Sequence, residues 1–407
     1  MRFPLFAILC CFSLIGLADD IAHSDYEQSL LQAIEDIQRL NHDQALADTR
    51  ELIRQYPTSK LGQLLYADLL MAKAEALPSI GYGIQSEPRL DDLTFEIRQR
   101  LSSKQTLAYA GYLPDNLISL ADNQPYVIIL DQSLSRLYVY RNEQGMPVLE
   151  SDYFLSIGLK GSGKQKRGDK KTPIGVYHVT RYIDDQELPD LYGRGAFPVN
   201  YPNVWDRRRQ RTGGGIWIHG TPSYTYNRAP WSSDGCMVVS NPDFSEIGQY
   251  IDPAQRTPVI VVESINWISP EQWQSNRKAM LQRLTRWMDD WESNDHTRYI
   301  QHYSKQEFEA DGRDFIQWSG HKRWVNRNKE NINIEFSNLG IYKYPGEQDL
   351  VLMHYDQSYR SNNLNVDNPK ELFWRKQADT EDWKIVYEGI RQFEQSEDAL
   401  VENQGLD

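Results

Sequence analysis

The apolar residues of this chain change period twice, and that limits its fold more than any single motif does. Between residue 26 and about residue 75 they recur at three- and four-residue spacing, as in Leu30, Leu31, Ile34, Ile37 and Leu40. That spacing marks one face of an α-helix. "DQALADTRELIRQYPTSKLGQLLYADLL" then predicts a helix, a Tyr-Pro break and a second helix, "LPSIGYGIQSEP" a linker, and "RLDDLTFEIRQRL" another amphipathic helix. From about Pro125 the period falls to two. "YVIILD", "SRLYVYRN", "ESDYFLSIG", "IGVYHVTRYI", "GIWIHG" and "TPVIVVES" predict short strands up to Ser264, with Gly and Pro punctuating the loops. The helical period returns after Ser269, an N-cap, with Pro270 at the first helical position and Gln272 completing a capping box. Trp273, Met280, Leu284, Trp287 and Trp291 then share one face, and "NINIEFSNLGIYKY", "DLVLMHYDQSYRS", "KELFWRKQ" and "DWKIVYEG" predict further strands. The chain reads as a multidomain α+β protein: a helical region over 19–124, a mostly β domain over 125–264 and an α+β domain over 269–395.

Charge narrows the partners. A formal net charge of −13 over 407 residues argues against nucleic acid, whose binders carry a basic surface. It also argues against adhesion to anionic lipid. "MRFPLFAILCCFSLIGLADD" opens with Arg2, runs apolar from Phe3 to Leu17 and places small residues before Asp19. This is the pattern of a cleavable secretory signal over 1–18. Its roughly 14 apolar residues fall short of the ~20 that a spanning helix needs. We therefore expect an exported, periplasmic protein with no stable membrane insertion. Cys10 and Cys11 lie inside the signal, so the mature chain keeps only Cys236. A lone thiol in an oxidising compartment cannot form an internal disulfide and is left free to react.

That thiol sits in "IWIHGTPSYTYNRAPWSSDGCMVVSN", which runs from Ile216 to Asn241, seventeen residues after His219. A thiolate is a strong nucleophile, but a free thiol near pKa ~8.5 is scarcely ionised at neutral pH. An imidazole at the end of the strand "GIWIH" could take its proton. Gly235 permits a tight backbone whose amides can face an oxyanion, and Ser233 can brace the turn. These are the parts of an acyl-transfer site. A buried structural cysteine and a structural histidine are the bland alternatives. The polar flank "SSDGCMVVSN" is unlike a core strand and favours chemistry.

"IHGT" followed by "SxGC" resembles the L,D-transpeptidase catalytic domain (the YkuD family), as does the upstream "SIGLKGSGKQKRGDKKTPIGVYHV" with its Thr-Pro-x-Gly stretch. The resemblance covers about 125–264. It implies a β-rich domain that binds peptidoglycan stem peptides, in cell-wall biogenesis and cell shape. Cys236 would attack the carbonyl before the terminal D-alanine and pass the acyl group to an amine acceptor. By the same resemblance His219 is the base, Gly235 and the Cys236 amide are oxyanion donors, and Ser233 braces the turn. Hydrolysis of stem peptides by the same site, or a catalytically dead wall-binding scaffold, are the alternatives. Two residues depart from the pattern: Asp234 stands for the usual histidine and Val238 for the usual arginine. "WESNDHTRYIQHYS" and "WKIVYE" resemble the nuclear transport factor 2-like cone fold, and the helix–break–helix of 43–70 resembles one tetratricopeptide-like unit. The helical and C-terminal domains are expected to meet envelope proteins.

Tyr224, Tyr226, Asn227 and Trp231 lie between base and nucleophile, either as a lid over the substrate or as packing. Lys160, Lys164, Lys166, Arg167, Lys170 and Lys171 form either a solvated loop or a clamp for stem-peptide carboxylates, with Lys164, like Tyr224, Tyr226 and Trp231, a candidate substrate-binding residue. Arg207, Arg208, Arg209 and Arg211 are expected in solvent. "GLKGSGKQ" departs from a phosphate loop at Gln165, so no nucleotide cofactor is expected. His219 and Cys236 supply two ligands at most, so no metal is expected either. His178 is expected to be structural, and His354 to line a pocket with Tyr355 and Tyr359.

Overall fold

The computed structural model describes residues 25–73, 89–103, 111–378 and 380–391. The expected signal over 1–18 and the linker over 77–88 lie outside them. The N-terminal region holds helices α1 (Asp25–Gln38), α2 (His42–Gln55), α3 (Lys60–Ala72) and α4 (Arg89–Ser103). Leu30, Ile34, Leu52, Leu61, Leu65 and Ile97 close its core, as the helical spacing required. Leu40 leaves that face: it follows α1 in a left-handed conformation (φ +60°) and is exposed. Ser59 caps α3 by accepting the Gly62 N–H at 3.0 Å.

Residues 113–119 correct the sequence reading, which kept them in the helical region. Leu113–Pro114 pairs with Trp267–Ile268, and Leu117–Ser119 adds to the C-terminal sheet beside Ile341 and Tyr342. These partners lie more than a hundred residues away, beyond any local pattern.

The middle domain is built on a five-stranded sheet of 146–154, 136–143, 126–131, 258–262 and 175–178, in that spatial order. "YVIILD" is continuously apolar because the strand is buried on both faces. Ile128 and Leu130 join one core with Leu137, Val139, Val259 and Val261. Val127 and Ile129 join another with Tyr138, Tyr140, Ile260 and Val262. That second core also contains Tyr342, Leu350 and Phe373 of the C-terminal domain, so the two domains share one apolar interior and do not move freely.

The C-terminal domain wraps strands 333–343, 350–360, 365–376 and 383–390 against the helix Pro270–Glu292. Trp273, Met280, Leu284, Trp287 and Trp291 are buried along that helix, as expected. Ser269 caps it, but the Gln272 side chain donates to Asn276 at 2.8 Å, so the reciprocal half of the capping box is not made. Two of the arginines before "TGGG" also depart from expectation. Arg208 donates to the Val386 carbonyl at 2.8 Å, Arg209 and Arg211 hold Glu347, and Arg211 reaches Asp206 at 3.0 Å. Arg208 and Arg211 are partly buried as staples between the domains, whereas Arg207 and Arg209 are exposed as expected, Arg209 reaching Glu347 from the surface. His354 pairs with Glu371 across the sheet and sits 3.7 Å from it, on the face opposite Tyr355 and Tyr359. Strand alternation therefore separates it from the pocket expected for it.

Candidate active site

The strand Trp217–His219 pairs in parallel with Met237–Val238, placing Ile218 against Met237 and His219 against Val238. Ile218 and Met237 point into the main core. Alternation turns Trp217, His219 and Cys236 to the other face. There Cys236 packs with Trp217, Tyr192, Leu188, Ile183 and Ala196. Parallel pairing thus closes the seventeen-residue gap and puts imidazole and thiol on one face as diagonal neighbours. Tyr192, which no sequence pattern singled out, covers the pair: its ring lies 4.9 Å from Trp217 and 5.0 Å from His219.

The turn before the cysteine is held from two sides. Ser233 Oγ donates to the Cys236 carbonyl at 2.6 Å and accepts the Gly235 N–H at 3.1 Å. Thr172, from the Thr-Pro-x-Gly stretch, donates to the Gly235 carbonyl at 3.0 Å. Gly235 has φ +125°, and a Cβ there would meet the Lys171 carbonyl at 2.8 Å, so no other residue fits. Its N–H is committed to Ser233 and does not face a reacting carbonyl. Of the expected oxyanion pair, the Cys236 amide remains.

The resting pair is neutral. Burial pushes the Cys236 thiol up to about 11, opposed by the Trp217 N–H and the charges of Arg228 and Lys164. The Sγ–H donates to the Gly215 carbonyl at 3.3 Å. Burial brings His219 down to about 4. Its Nδ1 lies 2.7 Å from the Gly220 carbonyl, which can only accept. Nδ1 therefore carries the proton, and Nε2 is left as the base. Beyond the ring, Asn241 ties down the loop by accepting from Arg194 and Thr221 and donating to the Thr221 carbonyl at 2.7 Å. Asp234 turns outward to Lys170 at 3.2 Å. Val238 is buried, and the cations acting on the thiol come from elsewhere.

The other candidate residues have separate fates. Lys164 is 4% exposed and holds Asp169 at 2.9 Å, so its ammonium is tied to the loop and not presented to a substrate. Tyr226 is buried among Tyr26, Tyr56 and the N-terminal helices. Trp231 meets Phe95 of α4 edge-on at 5.4 Å. Tyr224 is 67% exposed, with Lys60 over its ring. The segment between base and nucleophile is thus pinned beneath α1, α3 and α4. Between α3, α4 and this segment lies a cleft of about 490 Å³ lined by Leu64, Ala67, Asp92, Arg228 and Ser232 among others. Arg228 was not anticipated, because nothing in the local sequence marks it.

Residues 125–261 match the L,D-transpeptidase catalytic domain family (YkuD), and residues 279–389 match the Cds6 C-terminal NTF2-like domain. The chain carries both domains, as the sequence resemblance implied. Bd1075 of Bdellovibrio bacteriovorus is similar in structure, with 28% identity and a TM-score of 0.61 over 70% of this chain and 99% of that one. The helical cell shape determining protein Pgp2 from Campylobacter jejuni is similar at 26% identity and a TM-score of 0.56, over 68% of this chain and 94% of that one. No curated protein matches the chain.

Proposed function

We propose that this protein is an exported L,D-transpeptidase that acts on peptidoglycan stem peptides through a Cys236 acyl-enzyme. One observation carries the reading: His219 and Cys236 share a face of the parallel strand pair, with His219 Nδ1 bound to Gly220 and Nε2 available as base. The Cys236 proton passes to His219 as Sγ attacks the carbonyl before the terminal D-alanine. The oxyanion forms beside the Cys236 amide. The C–N bond breaks, His219 returns the proton to the departing amine, and a thioester remains. An acceptor amine then attacks and gives a proton to His219, the new C–N bond forms, the C–S bond breaks, and His219 returns the proton to the Cys236 sulfur. The matched catalytic family and the similarity to a cell shape determining protein support a role in the wall.

The test is mass spectrometry of disaccharide-tetrapeptides incubated with the protein and with Cys236→Ala. Dimers lacking one D-alanine, absent with the variant, are expected. Tripeptides alone would make water the acceptor. A second reading, a wall-binding scaffold without turnover, is favoured by the thiol held at about 11. Failure of Cys236 to form an adduct with either a carbapenem or the substrate would establish it.

A further inference from the structure

We propose that the cleft between α3, α4 and the 222–232 segment seats the donor peptide stem, with Arg228 receiving its terminal carboxylate. This rests on the acyl-transfer reading of Cys236 and adds the part of the fold that selects the substrate.

Location comes first. The cleft floor is part of the chain that runs from the base to the nucleophile, from Pro222 to Ser232. His219 and Cys236 do not line it, but Leu191, beside the Tyr192 that covers the pair, does, and so does Arg228, whose charge reaches the thiol. The cleft is also preformed. Tyr226 donates its N–H to the Thr58 carbonyl at 3.1 Å, and its ring is held by Tyr26 and Tyr56. Asp190 accepts from both the N–H and the hydroxyl of Ser223, each at 3.1 Å. A fixed cleft spares the ligand the entropy of ordering it. About 490 Å³ lies within the ~300–1,000 Å³ of small-ligand sites, enough for a short peptide of small residues.

Chemistry points to a carboxylate. Arg228 is partly buried and gives one N–H to the Ser232 carbonyl at 2.5 Å. Among the described residues no carboxylate forms an ion pair with it; Asp234, the nearest acid in sequence, pairs with Lys170. A guanidinium withdrawn from water without a counter-ion is a ready site for an anion. Val238 supplies no cation on the strand, and it is the charge of Arg228, on the loop, that favours the Cys236 thiolate. Across the cleft, Asp92 offers an acceptor for an ammonium, which suits a stem bearing both charges.

The experiment measures calorimetric binding of a disaccharide-tetrapeptide, and of its C-terminal amide, to the full chain carrying Cys236→Ala. Adding Arg228→Gln should weaken the acid roughly 10- to 100-fold, the range of a hydrogen bond to a charged group. It should leave the amide unchanged, and Arg228→Lys should recover part of the loss. Adding Ala67→Phe, which fills the cleft from α3, should weaken both ligands at least about tenfold. Gln63→Trp on the same wall replaces it if that variant fails to fold. Parent-like binding by the Arg228→Gln and cleft-filling variants would overturn the proposal. Failure of the chemistry reads differently: with Cys236 intact, no acyl-enzyme would form while the cleft still bound the peptide. An acyl-enzyme forming in Ala67→Phe at unaltered KM would keep the chemistry and sink the cleft.

Discussion

The ring of Tyr226 lies against that of Tyr26 with centroids 4.1 Å apart. Tyr226 belongs to the loop between base and nucleophile, and Tyr26 to the first helix. A helical unit that makes no bond to the thiol is therefore the support of the segment that delivers it. Buried charges repeat the link: Arg136 of the middle sheet binds Glu27 of α1 at 3.2 Å and Asp152 at 2.9 Å, and Arg100 of α4 binds the same Glu27.

Tyr226→Ala removes this anchor and opens a cavity between helices and loop. We expect a loss of about 3–5 kcal/mol, the range for deleting a buried aromatic, and protease cleavage within 220–232. Denaturant unfolding and limited proteolysis check both. An unchanged midpoint would mean that the helices do not support the loop.

Cys236→Ala should lower turnover by roughly 10³-fold or more, the scale of losing a nucleophile. Its thermal midpoint should stay within a few degrees of the parent. Product mass and a melting curve read the two effects separately.

The resting thiol makes labelling depend on pH. With Cys236 near 11, the thiolate fraction at pH 7 is of order 10⁻⁴, and alkylation should rise about tenfold per unit between pH 7 and 10. Iodoacetamide labelling of the substrate-free protein follows this directly. A rate that levels off below pH 8 would mean that an ion pair with His219 exists before substrate arrives.

Ser233→Ala removes both bonds that close the nucleophile turn. The Gly235 N–H and the Cys236 carbonyl lose their partner, a loss of about 1–3 kcal/mol when such groups stay buried. We expect kcat to fall more than KM rises, and Ser233→Thr to restore part of kcat.

Asp243, behind the loop, gives a pH test of stability. Burial raises its pKa from 3.8 to about 6, so the folded state binds the proton more tightly than the unfolded one does. Its contribution is full below the unfolded value and is lost as pH climbs through about 6; above that, a buried carboxylate must ionise. Asp243→Asn should therefore stabilise the protein at pH 8, by about 1–3 kcal/mol, and do little at pH 4. Thermal melts at both values decide it.

Local periodicity made most of the architecture readable from the sequence. The shift of period at Ser269 marks where strands give way to a helix, and the one at Pro125 marks the first strand of the middle sheet, after the two short strands at 113–114 and 117–119, because a helix and a strand repeat their faces over a few residues. The thiol and imidazole were readable for a similar reason: a Gly-containing turn and a strand end carry their chemistry in adjacent letters. Tertiary structure alone decided what meets those letters. Arg228, Tyr192 and Asn241 acquire roles from neighbours that no local pattern names. Tyr226 became an anchor because α1 arrives from two hundred residues away, and Lys164 lost its freedom to Asp169. Arg208, Arg209 and Arg211 became staples because a second domain offers them partners in Val386 and Glu347, and 117–119 became a strand because that domain left an edge to fill. Periodicity assigns a residue to a face; which face it meets depends on long-range packing, whose energy is spread over residues far apart in the chain.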